Sequence, residues 1–345
     1  MVLSRLSSNC KIADNEFIEN FVFDNGLTTT KVPMYEAKSI HGFNQIIGYA
    51  KYLNRDYGNV YSRGECKLHK TLLPSVFRNH TRLNKANDSI GAVINAVYAD
   101  AKLSNEVGLK GLNKPLANYV IEGMLQHYGV KTRYIDVVDN HWVALWMGLY
   151  EAKATLDKSV PYYRYQKRVI PNGDYNLYFA NLYDKWHSKP HYPTEPCSLI
   201  EIDDLIKHHF SGEKGASELY QYVLLLAIPY TKKQIGKGIA VTDSFVTVDL
   251  RQALPSVFLR PHAQHGLVVK KRIGKPTNIA DYDMATEVTA IIRVRIDRAA
   301  SWIGDGSLLS QDNLFPPPAY DFGYDILLSR KDLFEKTNTS IIHYY

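Results

Sequence analysis

Apolar residues along this chain follow two patterns, one with helical spacing and one that runs almost unbroken. Ile40, Phe43, Ile46, Ile47 and Ala50 line one helix face, and Ile90, Val93, Ile94 and Val97 do so again behind Asp88 or Ser89 as the cap. Pro115 suits a first turn and Gly129 a C-terminal cap, which predicts a helix over Leu116 to Tyr128. A strand over Thr132 to Val138 follows. A further helix, capped by Asp139 or Asn140, then places Trp142, Leu145, Trp146 and Leu149 on one face, where both tryptophans read as core. Beyond it, Asn176 to Tyr183, Tyr222 to Tyr230, Ile239 to Leu250, His265 to Lys271 and Val288 to Ile296 have the Val, Ile, Leu and Tyr content of strands. Helices first and strands later predict an α+β fold, with a mixed, largely antiparallel sheet on which the helices of the N-terminal half pack. Residues 1–38 read as a polar lead segment. Residues 39–345 read as a single domain, because no repeat or long linker divides them.

With 345 residues, 45% of them hydrophobic and 22% charged, the composition excludes a disordered chain and a coiled coil. A core of this size needs no disulfide or metal staple. Cys10, Cys66 and Cys197 form no Cys-x-x-Cys pair, and the opening residues contain no apolar stretch of the export type. The longest apolar run, Tyr222 to Tyr230, is far short of a bilayer span, so a cytoplasmic chain without a membrane anchor is expected. Lys and Arg number 41 against 35 Asp and Glu, and the net +6 permits an anionic partner.

Common catalytic motifs are missing. Gly236-Lys237-Gly238 and Gly304-Asp305-Gly306 extend into neither a Rossmann fingerprint nor a Walker loop and read as turns. His187 and His191 flank Pro190, and His208-His209 is a plain adjacent pair, so no metal site is expected. Three polar clusters do interrupt otherwise apolar segments, where a buried cation or amide needs a reason to be present. The first is Tyr61-Ser62-Arg63-Gly64-Glu65, followed by Leu73-Pro74-Ser75-Val76-Phe77-Arg78. The second runs from Leu125-Gln126-His127-Tyr128-Gly129 through Thr132-Arg133 to Asp136, and the third is Arg260-Pro261-His262-Ala263-Gln264-His265-Gly266.

In this order the clusters resemble the FRG domain, a family named for an aromatic-Arg-Gly motif. It is marked by a Leu-Pro-Ser-x-Phe-Arg segment, a Leu-Gln-His-x-Gly-x-x-Thr-Arg-x-x-Asp segment and a late Arg-x-x-x-Gln-x-Gly. The resemblance runs from about Ser39 to Phe334, with departures at Ser62, which separates Tyr61 from Arg63, and at Lys131 and His141, where the family usually has proline. By motif order FRG proteins resemble the ADP-ribosyltransferase fold. The resemblance implies NAD as substrate, Arg63, Gln264 and Asp136 as catalytic residues, and Tyr61, Arg63, Gly64, His127, Thr132 and Arg133 around the NAD.

The chemistry of these residue types is coherent with that implication. An Arg can fork onto a phosphate or ribose, and an adjacent Gly lets backbone approach a ligand. Cleavage of the nicotinamide–ribose bond builds positive charge on the sugar, which Gln264 or, in reserve, Asp136 would face. Alternation near the strand that opens at His265 should turn one of Gln264 and His265 inward. Arg63 has a structural alternative as a buried partner of Glu65 or Asp136, and Asp136 one as a partner of Arg133 or Arg78. In Tyr162 to Arg168, the cations Arg164, Lys167 and Arg168 among tyrosines suit RNA or DNA, or else form the solvated face of a packed strand. The function expected is an NAD-dependent ADP-ribosyltransferase that modifies a macromolecule, preferably nucleic acid. Such an enzyme is typical of toxin or phage-defence effectors and implies a neutralising antitoxin protein. The alternative is a non-catalytic nucleic-acid or protein-binding module.

Overall fold

A computed structural model describes residues 2–8, 14–78, 83–157, 160–169, 219–230, 236–336 and 343–344. Its strands are β1 (Asn15–Asp24), β2 (Thr29–Ala37), β3 (Gly58–Glu65), β4 (Ile135–Val138), β5 (Tyr150–Asp157), β6 (Val160–Lys167), β7 (Tyr220–Pro229), β8 (Ile239–Val241), β9 (Phe245–Asp249), β10 (Gly266–Lys271), β11 (Val288–Arg295) and β12 (His343–Tyr344). A nine-stranded sheet has the order β1-β2-β11-β7-β3-β4-β10-β9-β8, and a three-stranded sheet the order β12-β6-β5. In the large sheet β11 pairs with β2 in parallel, and its other pairings are antiparallel. This is the α+β class with the mixed, largely antiparallel sheet that the sequence predicts.

The N-terminal half supplies α1 (Ile40–Leu53), α2 (Ser75–Arg78), α3 (Leu83–Ala99), α4 (Ala101–Glu106), α5 (Lys114–His127) and α6 (His141–Leu149). Side-chain oxygens of Ser39, Asn113 and Asn140 cap α1, α5 and α6, and Gly129 follows α5 in the left-handed region at φ 92°. The sheet is covered on both faces. Along β10, Leu267 and Val269 join the core beneath α1 and α6, while Val268 between them joins the core beneath α3 and α5.

Several expectations need correction. Residues 1–38 are no polar lead, since β1 and β2 form a hairpin and β2 is built into the sheet against β11. The second helix starts at Leu83, ahead of Asp88. Ile239 to Leu250 is not one strand, because the Thr242 hydroxyl oxygen accepts from the backbone of Ser244 and Phe245 and turns the chain between β8 and β9. The strand predicted from Thr132 begins only at Ile135. The strand expected over 176–183, together with Cys10, Cys197, His187, His191, His208 and His209, lies outside the described residues. Among those described, no helix is long and apolar enough to cross a membrane.

Candidate functional site

β3 and β4 are paired through Ser62 and Val138 alone and diverge beyond that rung. A cleft of about 510 Å³ opens where they part, lined by Arg63, Glu65, Arg78, His127, Asp136 and Gln264 among others. Arg63 spans the opening. Its Nη1 donates to the Asp136 carbonyl at 2.7 Å and its Nε to Glu65 Oε1 at 2.7 Å. Burial works against its cation, and the carboxylates of Glu65 and Asp136 more than offset this.

The Asp136 carboxyl is positioned from α5. Its Oδ2 accepts from Gln126 Nε2 at 2.6 Å, and its Oδ1 lies 3.6 Å from His127 Nδ1. Burial raises its pKa, but His127, Arg63 and Gln126 together outweigh burial and hold it below the usual carboxylate range. Gln126 is fixed in turn, because its Oε1 accepts from the Thr132 hydroxyl at 2.7 Å. The His127 ring lies over Gly266, where an added Cβ would come within 2.5 Å of its Cε1.

Below the cleft, α7 (Leu250–Ala253) and α8 (Leu259–Ala263) lead into β10. Arg260 on α8 is fully buried, with its guanidinium 4.6 Å from the Tyr128 ring centre and 4.7 Å from that of Tyr324, and it donates to the His127 carbonyl. The Asp321 carboxylate accepts from the backbone of Leu259, Arg260 and Tyr324 and from the Tyr128 hydroxyl, tying these elements together.

Gln264 ends α8 and is 3% exposed, with its Nε2 donating to the Leu314 carbonyl at 2.6 Å. It faces the cleft, and His265 turns outward toward Asp139. The split arises from the left-handed φ of 52° at His265 and not from strand alternation, since β10 starts only at Gly266. An aromatic wall closes the other side. Tyr150 and Tyr165 of the β5–β6 hairpin line the cleft with Phe315, and the Tyr165 and Phe315 rings stack at 4.3 Å. Trp146 stays in the core, stacked on Tyr150 at 4.2 Å.

The structure therefore brings Arg63, His127, Asp136 and Gln264 together and leaves other expected residues elsewhere. Tyr61 lies toward the other end of β3, in a separate cleft of about 400 Å³ with Asp139, Asp249 and Arg251. Gly64 is at the cleft, but its missing side chain makes room for α6 and not for a ligand: a Cβ would sit 1.9 Å from the Ala144 carbonyl oxygen. Thr132 is fully buried and acts through Gln126. Arg133 forks onto the buried Glu122 carboxylate, which also takes Lys270, so its guanidinium is committed beneath the sheet. Neither Arg133 nor Arg78 forms the ion pair with Asp136 that the sequence allowed; Gln126 and His127 hold that carboxyl instead.

The expected nucleic-acid face is also divided. Arg164 is exposed, Lys167 pairs with Asp305 at 3.2 Å, and Arg168 turns inward to the carbonyls of Cys66, Gly148 and Tyr220. Cleft residues that the sequence reading did not single out as site residues include Glu65, Arg78, Gln126, Tyr165 and Phe315. The first three stand inside the quoted motifs and Tyr165 inside the Tyr162 to Arg168 segment, whereas nothing local marked Phe315. Among the described residues, no group of His, Cys, Asp and Glu is placed to hold a metal ion.

No curated protein and no solved structure matches the chain. Residues 58–156, from the first residue of β3 to the penultimate residue of β5, match the family model of the FRG domain, and this match supports the FRG family for the part of the chain that carries Arg63, His127 and Asp136.

Proposed function

We propose that the cleft binds NAD as substrate and transfers its ADP-ribose to a macromolecule, with nucleic acid the preferred acceptor. The observation that carries this reading is the meeting of Arg63, Asp136 and Gln264 in one cleft walled by aromatic rings. These groups suit the ligand: flat faces for a pyridinium ring, guanidinium for a diphosphate, and an ionised carboxylate for a sugar carbon that turns cationic. In such a transfer the bond between the anomeric carbon and the ring nitrogen breaks with its electron pair going to nitrogen. Nicotinamide leaves neutral, while the acceptor's nucleophile bonds the same carbon and yields its proton to water. Asp136, kept ionised by His127, Arg63 and Gln126, faces the developing charge. Gln264, with its amide nitrogen bound to Leu314, offers its oxygen to the ribose.

The preference for nucleic acid rests on the net charge of +6 and the exposed Arg164. An activity of this kind endangers the cell that makes it, so we infer a toxin or phage-defence effector with a neutralising protein partner. The second reading, a non-catalytic binding module, is favoured by the engagement of Arg63 with Glu65 and with the Asp136 carbonyl.

The test incubates the purified chain with NAD and follows nicotinamide release, then transfer of labelled ADP-ribose to RNA, DNA and protein mixtures. Release that disappears in Asp136→Asn supports the enzyme. Salt-sensitive RNA binding without NAD binding supports the module.

A further inference from the structure

We infer that the cleft is one half of a longer groove whose second half takes the far ring of a diphosphate-bridged dinucleotide, with the bridge held at Arg78. This rests on the NAD reading above and names where the rest of that ligand goes. A second pocket of about 330 Å³ adjoins the cleft, and Glu65 and Arg78 line both. Both volumes fall in the range of small-molecule sites. A ligand with two flat ends joined by two phosphates matches two pockets joined at a guanidinium.

Arg78 is suited to the waist. Its Nε donates to the Leu73 carbonyl at 3.0 Å, which fixes the side chain, and among the described residues its terminal nitrogens make no hydrogen bond or ion pair. Those nitrogens can fork onto a phosphate. Arg63 differs, with both Nε and Nη1 taken. Glu65 makes its ion pair with Arg63, at 2.7 Å, and forms none with Arg78. Arg78 is exposed at the rim, yet partial burial and the like charge of Arg63 work against its cation more than Glu65 and Asp136 favour it, a cost that a bound anion would relieve. The second pocket is apolar on Phe23, Leu72, Leu73 and Leu224, with Lys67 and His69 at its exposed lip. It therefore offers an apolar-walled slot for a flat base and a cation beside the phosphates.

The test measures binding of NAD, ADP-ribose and nicotinamide riboside to the full chain by calorimetry, with wild type, Arg78→Gln, Thr71→Trp and Lys67→Glu. Arg78→Gln should weaken NAD and ADP-ribose by about tenfold or more while leaving nicotinamide riboside, which has no phosphate, nearly unchanged. Thr71→Trp, which fills the second pocket, should weaken the same two ligands. Lys67 is exposed, so Lys67→Glu keeps the test alive should either other variant fail to fold. NAD binding that is unchanged in the folded variants overturns the groove and leaves the cleft reading intact. Wild-type protein that binds none of the three ligands overturns the groove and that reading together.

Discussion

Arg63 donates to the backbone carbonyl of Asp136 at 2.7 Å and not to its carboxylate. The bond crosses the gap where the β3–β4 ladder stops after Ser62 and Val138, so the guanidinium supplies a rung that the diverging backbones cannot make. The carboxylate stays turned to the cleft, where Gln126 and His127 hold it. One residue thus serves both the sheet and the site.

Arg63→Ala should remove this rung and leave Glu65 without its partner. The two side chains are 16% and 18% exposed, so water screens part of the loss, and the expected cost is about 1–3 kcal/mol. Urea denaturation measures it. Nicotinamide release should fall to background while the fold persists. Arg63→Lys should recover part of the stability but not the activity, because an ammonium cannot fork to both partners. Complete unfolding of Arg63→Ala would assign the residue to the fold alone.

Gly64→Ala tests the neighbouring position without any assumption about function. A Cβ there would lie 1.9 Å from the Ala144 carbonyl and 2.7 Å from the Gly148 backbone nitrogen, both on α6. Backbone in a seated helix yields poorly, so a loss of about 3 kcal/mol or more is expected, read as a lower melting midpoint. A wild-type midpoint would mean that α6 is not seated on β3 as described.

The sequence made α1, α5 and α6 legible, because Ile40 to Ala50 and Trp142 to Leu149 repeat with helical spacing and Asn140 stands where a cap belongs. The motif order also brought Arg63, Asp136 and Gln264 forward. What it could not contain is the divergence of β3 from β4, which depends on a single long-range pair. Nor does a glycine disclose what fills the space it leaves: at Gly64 it is α6, not a ligand. Arg133 looked like a site cation because its partner, Glu122, lies a helix away and fully buried. Arg164, Lys167 and Arg168 read as one basic group, yet the ion pair of Lys167 with Asp305 and the carbonyls around Arg168 divide it.

The Glu122 cluster should be visible in the acid limb of unfolding. Burial works to raise its carboxyl, but Lys270 and Arg133 overcome this and bring it down to about 2, against about 4.3 for an unfolded glutamate. A carboxyl depressed in the folded state stabilises fully above the unfolded value, and that contribution drains away as pH falls from about 4.3 toward about 2. Glu122→Gln should therefore cost about 3–5 kcal/mol at neutral pH, since it leaves Lys270 and Arg133 buried without their anion. The gap between variant and wild type should narrow toward about pH 3. Urea midpoints across that range measure the difference, and a gap independent of pH would remove Glu122 from the role of shared counter-ion.

Gln264 carries the sharpest separation between structure and chemistry. Its Nε2 holds the Leu314 carbonyl, so Gln264→Ala should cost about 1 kcal/mol of stability for one buried hydrogen bond. Turnover should fall by about a hundredfold while the Kd for NAD hardly changes, because a group that meets the ribose only as its charge develops contributes to the transition state and not to binding. Gln264→Glu cannot donate to Leu314 when ionised, so it should lose the same hydrogen bond and set a carboxylate beside the carbonyl oxygen. If electrostatic stabilisation of the sugar is what limits the reaction, that variant should cleave NAD at least as fast as wild type despite a lower melting midpoint. A Gln264→Ala protein with full turnover would show that the Gln264 side chain only closes the floor of the cleft over Leu314, and that Asp136 alone faces the sugar.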